Sequence, residues 1–283
     1  MLLKLNSFNW VGGKASHLNF LYGNFPSDFH HYVDVFGGSG VVLLNKERSP
    51  IETYNDVNQN VVTFYKMLRD YPDELIERIQ LSPYSRREFE ICISILMDSN
   101  SVELERARAF FVVANQSFHS RINTQATSNW KMCVKDSTTR GSSAVSKYLS
   151  KIERLGLIAE RFKSVQIENS DFSKIFDKYD SDVSFFYVDP PYPLATRNSK
   201  KLYDFELSDE RHVELLEIVN AVEGAVLISS FSSELYDLNL TGWIKSIDRE
   251  KRIRSSSLNR KAAEVLYRNY EIQKCTTREA GYV

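Results

Sequence analysis

Residues 31–45, HYVDVFGGSGVVLLN, constrain the fold more than any other stretch of this 283-residue chain. They read as a strand, a glycine-rich turn and a helix start in direct succession. Such a unit suits a parallel sheet, with the turn at the carboxyl edge, where ligands approach the backbone. The pattern continues on both sides. Leu18, Phe20, Leu21 and Tyr22 predict a short helix that stops near Gly23 and Pro26. Ile51–Tyr54 predicts a second strand, ending at Asn55-Asp56. Val61–Leu68 and Asp73–Ile79 read as helices interrupted at Tyr71-Pro72. Strand signals return at Val165–Glu168, Ser184–Val188, Ala225–Ser229 and Glu264–Tyr270, with a helix around 208–222. Alternating strands and helices predict an α/β fold with a mostly parallel sheet covered on both faces. The middle is different: helical patterns dominate, and residues 120–146 are polar. We therefore expect residues 1–62 and 155–283 to form one domain, with 63–154 as a mainly helical insert.

Composition narrows the class. Hydrophobic residues make up 42% and charged residues 26%, which suits a globular chain and excludes a disordered one. The net charge of −1 hides an asymmetry. Residues 115–151 hold six basic residues and one acid, and residues 245–270 hold eight basic residues and three acids. Segregated charge can make a basic face on a near-neutral protein, or two solvated loops. Cys92, Cys133 and Cys275 are too sparse for a disulfide framework or a zinc site, so reduced thiols and no metal are expected. The start, MLLKLNSFNW, has no signal-peptide pattern, and the longest apolar run, Ala109–Ala114, is far too short for a membrane span. The expectation is a cytoplasmic protein that makes no membrane contact.

Two motifs carry chemistry. Asp34-Val-Phe-Gly-Gly-Ser-Gly40, followed by Asp56 at the end of the next strand, suits a ribose-bearing ligand. On its own it fits a dinucleotide enzyme, an adenosyl-cofactor enzyme or a simple tight turn. The second motif is FFYVDPPYP, residues 185–193. An apolar strand ends in an acid, two prolines and an aromatic. The prolines fix φ and remove two donors, so the turn is rigid. The Asp189 carboxylate and the Pro190 carbonyl then offer two acceptors, which suits the two hydrogens of a planar amine. The Tyr192 ring can stack on the heterocycle that carries it.

With these motifs the chain resembles the Dam-like (D12 class, group α) DNA adenine-N6 methyltransferases. Five segments match in order: Trp10-Val-Gly-Gly-Lys14, Asp34–Gly40 with Leu44-Asn45, Asn55-Asp-Val-Asn58, Asn169-Ser-Asp-Phe172 and Asp189-Pro-Pro-Tyr192. Arg254-Ser-Ser-Ser with Glu264–Tyr270 is similar to the family's closing hairpin. The resemblance implies a Rossmann-like sheet with one antiparallel strand near the carboxyl terminus, binding S-adenosylmethionine (SAM), and a helical insert that reads the DNA. It implies that Trp10 and Lys14 contact SAM and that Asp34, Phe36, Gly38 and Gly40 shape its pocket. Asp56 would take the ribose hydroxyls, and Asp171 with Phe172 the cofactor adenine. Asp189, Pro190, Pro191 and Tyr192 would hold the target base, with Asp189 also bordering the cofactor. Trp10 as a core aromatic and Asp171 as a helix cap remain open readings.

The implied reaction is methylation of N6 of an adenine flipped out of double-stranded DNA. Phe118 is a candidate wedge, or an ordinary core residue; Asn115 and Arg121 are candidates for reading base edges. Arg252, Arg254, Arg260 and Lys261 are candidates for DNA contact. Residues 115–130 show no clear match to the family's recognition loop, so the target sequence stays open. One flipped base needs one active site, so a monomer is expected, with a cognate restriction endonuclease as a partner left open. Other readings keep the fold but change the acceptor to cytosine N4 or RNA adenine. Others again make the chain a silent DNA-binding relic, or a nicotinamide oxidoreductase that leaves the Asp-Pro-Pro-Tyr turn unexplained.

Overall fold

The computed structural model describes residues 4–118, 130–196, 205–253 and 262–272, with backbone only at 249–253 and 262–263. In chain order the strands are β1 (His31–Asp34), β2 (Ile51–Asn55), β3 (Ser137–Thr138), β4 (Gly141–Ser142), β5 (Gln166–Glu168), β6 (Ser184–Val188), β7 (Ala225–Phe231), β8 (Ile244–Ile253) and β9 (Ala262–Arg268). Strands β3 and β4 form a small hairpin of their own. The other seven form one sheet in the order β5-β2-β1-β6-β7-β9-β8. Pairings from β5 through β7 are parallel, while β9 runs antiparallel to both β7 and β8. This is the mostly parallel α/β sheet, with one reversed strand near the carboxyl terminus, that the sequence led us to expect.

The helices are α1 (Leu18–Tyr22), α2 (Val41–Asn45), α3 (Gln59–Asp70), α4 (Pro72–Gln80), α5 (Arg86–Met97), α6 (Glu103–Gln116), α7 (Ser143–Ile152), α8 (Leu155–Phe162), α9 (Phe172–Tyr179), α10 (Asp209–Ala221) and α11 (Glu234–Asn239). The break between α3 and α4 falls at Tyr71, because Pro72 has no N–H to continue a helix and is accommodated in the first turn of the next.

Strand β6 shows why both faces must be covered. All five of its residues are buried. Phe185 and Tyr187 point into one core, with Phe64, Phe110 and Phe162; Phe186 and Val188 point into the other, with Phe176, Leu216 and Val219. Side chains alternate along a strand, so a run that is buried at every position needs a layer of helices on each side. Helices α3 to α8 supply most of the first layer, and α9 to α11 the second. The middle helices share the core of the sheet: Val61, Phe64 and Phe110 sit in the same cluster as Phe8 and Tyr54. Position 62 lies within α3.

Strand β8 has no counterpart among the sequence-based expectations. Its residues, IKSIDREKRI, are mostly polar, and its pairing with β9 shifts register between Ile247 and Arg252. A bulge of this kind breaks the two-residue alternation by which a strand is read, and an edge strand needs little apolar content.

A buried ion cluster ties β2 to its flanking elements. Glu52 is 2% exposed and accepts from Lys46 at 2.5 Å and from Arg161 of α8, whose guanidinium also donates to the Leu43 carbonyl at 2.9 Å. Removing one member of a buried ionic network leaves uncompensated charge. Glu52→Ala is therefore expected to lower the unfolding free energy by about 3–5 kcal/mol, read from urea denaturation; a loss below about 1 kcal/mol would count against the role given to this cluster.

Candidate active site

Parallel pairing aligns the carboxyl ends of β1, β2 and β6, so the segments that follow them converge: Val35–Gly40, Asp56–Asn58 and Asp189–Tyr192. The amino-terminal segment Trp10–Lys14 closes over them. Between these four segments lies a cavity, open to solvent, of about 940 Å³ in all.

The glycines have separate reasons. A Cβ on Gly37 would stand 2.1 Å from Cε2 of Tyr54, so only glycine lets the turn pass over that ring. Gly38 has φ +50, and a Cβ there would lie 2.5 Å from Nε1 of Trp10. Trp10 and the turn thus form one wall, and Trp10 both lines the cavity and packs edge-on against Phe8. Gly40 does not line this cavity; it precedes the first residue of α2.

Three acids line this space. Asp56 accepts from the backbone N–H of Gly38 and of Asn58, each at 2.8 Å. These bonds fix the carboxylate and leave each oxygen a further lone pair. Burial pushes its pKa up to about 6, against the pull of the two N–H groups. Asp34 is pushed well above the ordinary carboxylate range by burial and by the charges of Asp189 and Asp56. Its Oδ1 and the hydroxyl of Tyr187, both buried, have no hydrogen-bond partner among the described residues. Asp189 is likewise raised, to about 6, by burial, which the nearby Lys14 opposes. Three carboxyl groups held above their ordinary range favour a cationic ligand, because its charge would stabilise their ionised forms.

Lys14 is the cation already present. It is 3% exposed; its Nζ lies 2.7 Å from Asp189 Oδ1, 3.1 Å from the Gly12 carbonyl and 3.4 Å from Glu264 Oε1. Burial alone would lower its pKa, but the charges of Asp189 and Glu264 outweigh that and raise it. The same Nζ sits 4.9 Å from the centre of the Tyr192 ring.

Several expected site residues stand elsewhere. Tyr192 is buried beside the cavity rather than lining it: its hydroxyl donates to Glu264 and lies 3.2 Å from the Ser229 hydroxyl, and its ring meets Phe231 edge-on. Asp171 caps α9, accepting from the N–H and hydroxyl of Ser173, and pairs with Arg211 at 2.5 Å. It does not border the cavity, nor does Phe172, whose ring lies 5.7 Å from that of Phe36. Phe36 lines the cavity. Asn115 is buried, donating to the Phe111 carbonyl and accepting from Lys151 Nζ at 2.9 Å. Gln116 is also buried and accepts from Trp130 Nε1. Neither side chain is presented to a ligand. Phe118 is 51% exposed. Arg121, Arg254, Arg260 and Lys261 lie outside the described residues, as does the side chain of Arg252. Tyr187, Phe205 and Glu264 join the site with no role read for them in the sequence. Tyr187 and Glu264 fall inside recognised segments, but Phe205 gave no signal.

Comparison with known proteins places the chain. The family model described as D12 class N6 adenine-specific DNA methyltransferase matches residues 10–256. The Type II methyltransferase M.MjaIII of Methanocaldococcus jannaschii is 25% identical, over 92% of this chain and 97% of its own. The Type II methyltransferase M1.LlaDCHI of Lactococcus lactis subsp. cremoris is 27% identical, over 95% of this chain and 99% of its own.

Lys14→Met would leave Asp189 and Glu264 facing each other without a counter-charge. The variant is expected to lose about 3–5 kcal/mol at pH 7. A raised folded-state pKa means that the folded protein takes up protons more readily than the unfolded chain, so acidification from pH 7 to 5 should narrow the deficit. Chemical denaturation at the two pH values checks this; a deficit that widens in acid would contradict the electrostatic assignment.

Proposed function

We propose, from the premise that this chain belongs to the D12 class of N6 adenine-specific DNA methyltransferases, that it carries the methyl group of SAM to N6 of an adenine flipped out of double-stranded DNA. Methylation of adenine in DNA is the activity that membership gives it. The observation that best supports the finer reading is the convergence of Lys14, Asp189 and the Pro190-Pro191 turn on the cavity lined by Asp34 and Asp56.

The residues present fit SAM. The orphaned Asp34 Oδ1 and Tyr187 hydroxyl suit the polar ammonium end, and Asp56, with a lone pair left on each oxygen, suits a ribose diol. Trp10 and Phe36 supply flat apolar walls. Three acids around one space favour a sulfonium over the phosphates of a dinucleotide. When bound, SAM supplies a methyl group made electrophilic by its positive sulfur. Asp171 and Phe172, behind Phe36, would close the adenine end only through a shift of that side chain.

Adenine N6 is a poor nucleophile because its lone pair is delocalised into the ring. The Asp189 carboxylate and the Pro190 carbonyl would accept its two N–H bonds and favour a pyramidal nitrogen with a localised lone pair. Orientation and fixed dipoles then supply much of the acceleration. After transfer the amine sheds one N–H proton, and Asp189 can receive it before passing it to water. The helical stretch 63–154 would read the target, with Phe118 as the wedge beside the vacated base. Arg121, Arg252, Arg254, Arg260 and Lys261 would hold the phosphates or base edges. Asn115 would support that segment from beneath.

Tritiated SAM and unmethylated plasmid, followed by nucleoside digestion, should give labelled N6-methyladenine; label on cytosine alone would overturn the acceptor. Asp189→Ala should lose at least about a hundredfold in kcat while SAM binding stays measurable. The reaction needs Asp189 and Asp56 ionised. Both are raised to about 6, so kcat/KM should fall below about pH 6, where an ordinary carboxylate would stay ionised. The limb should be steeper than one proton. A rate that stays flat down to pH 5 would exclude these roles.

A further inference from the structure

Glu264 stands where the sheet departs from parallel order. Strand β9 runs against its neighbours, so its beginning, not its end, lies at the carboxyl edge of β7, with Glu264 opposite Phe231. A parallel strand in that place would start at the far edge of the sheet. The side chain is 4% exposed, and its Oε1 gathers three groups: the Tyr192 hydroxyl, the Ser229 hydroxyl at 2.6 Å and the Lys14 ammonium at 3.4 Å. One ammonium therefore stands between two carboxylates, Asp189 and Glu264.

We propose that Glu264 is a positioning residue: it is the fixed counter-ion of Lys14 and the anchor of Tyr192, which frees Asp189 to exchange its bond from Lys14 for the amine N–H of the target base. The inference rests on the methyl-transfer reading above.

The physical need is plain. Asp189 cannot give its full acceptor capacity both to Lys14 and to an entering amine. If Asp189 were the only anion near Lys14, the exchange would strand a buried ammonium, which is the costly case. Glu264 removes that obstacle. Its partners also hold it ionised: burial works against this, but Lys14, Ser229 and Tyr192 together keep its pKa below the ordinary range. Asp189 is shifted the other way. Two carboxyl groups whose surroundings push them apart take different roles, one constant and one exchanging protons and partners. The charged and titratable groups facing the pair are Lys14 and His17 of the amino-terminal segment, Asp34 after β1, Tyr187 of β6 and Tyr192. Tyr192 gains a second function. Its hydroxyl is the arm by which Glu264 fixes the end of the Asp-Pro-Pro-Tyr turn, so the carboxylate sets the aim of the turn as well as the place of the ammonium.

The test is steady-state kinetics of the full chain on unmethylated DNA with SAM, together with SAM binding by calorimetry. The wild type must form N6-methyladenine; if it does not, the methyl-transfer reading fails, independently of anything about Glu264. In Glu264→Gln, which keeps the shape and an acceptor for Tyr192, kcat should fall by about thirtyfold. SAM affinity and the KM for DNA should each stay within about threefold. The acid limb of kcat/KM should move to lower pH, because Asp189 loses a like-charged neighbour. Unchanged kcat would overturn the proposal. So would losses of SAM affinity and kcat in parallel with an unmoved limb, the signature of a purely structural residue. Should Glu264→Gln not fold, Ser229→Ala removes one bond to the same oxygen. It should lower kcat by about threefold to tenfold at unchanged SAM affinity, and wild-type kcat in that variant would equally overturn the proposal.

Discussion

The ammonium of Lys14 is the interaction on which the rest of the site depends. It brings the amino-terminal segment, the turn after β6 and the reversed strand β9 to one point, bonded to Asp189 and the Gly12 carbonyl and close to Glu264. A buried cation is tolerated only where anions and carbonyls surround it. The same requirement closes the amino-terminal segment over the sheet, since Lys14 finds those partners only when Trp10–Lys14 lies across the carboxyl edge. The neighbouring pair His17–Asp248, at 2.9 Å, continues the seam to β8.

The walls of the cavity follow from the same edge. Parallel strands all finish on one side, so the segment after each strand faces the others there. The turn after β1 is held down by contacts between backbone and side chain: Gly37 N–H to the Asn55 carbonyl at 2.7 Å, Gly38 N–H to Asp56 and the Tyr54 hydroxyl to the Gly38 carbonyl at 2.6 Å. Asn55 then reaches the Val35 and Ser170 carbonyls, which joins the ends of β1, β2 and β5. All of these bonds lie within the chain itself, and together they fix the backbone of the cavity wall.

Crowding acids around that cavity has a cost and a use. Burial disfavours each charge, and Asp34, Asp56 and Asp189 all titrate above the ordinary carboxylate range. A cationic ligand relieves that tension, so part of its binding energy is stored in the protein beforehand as unfavourable acidity. The arrangement also separates duties. Asp56 is fixed by two backbone N–H groups, while Asp189 is held by the side chain of Lys14.

The sequence by itself determined six of the seven strands of the main sheet, the glycine-rich turn, the rigid proline turn and the family. All of these rest on neighbours in the chain: an apolar run, a φ requirement, a missing N–H. It also named Lys14, Asp34, Asp56 and Asp189, because each belongs to a short motif. Only the tertiary structure decided what those residues touch. That β9 reverses is what carries Glu264 to Lys14, and no local pattern announces such a long-range ion pair. Strand β8 was hidden by its polarity and its bulge. Asn115 is in sequence a polar residue at the end of a helix, but in the fold the Lys151 ammonium and the Phe111 carbonyl take up its amide. Tyr192 is in sequence a ring beside the acceptor, but in the fold it is a buried hydroxyl serving a carboxylate. Residue type fixes what a side chain can bond to; which partner it meets is set by strand order and helix packing, and these depend on the whole chain closing its core at once.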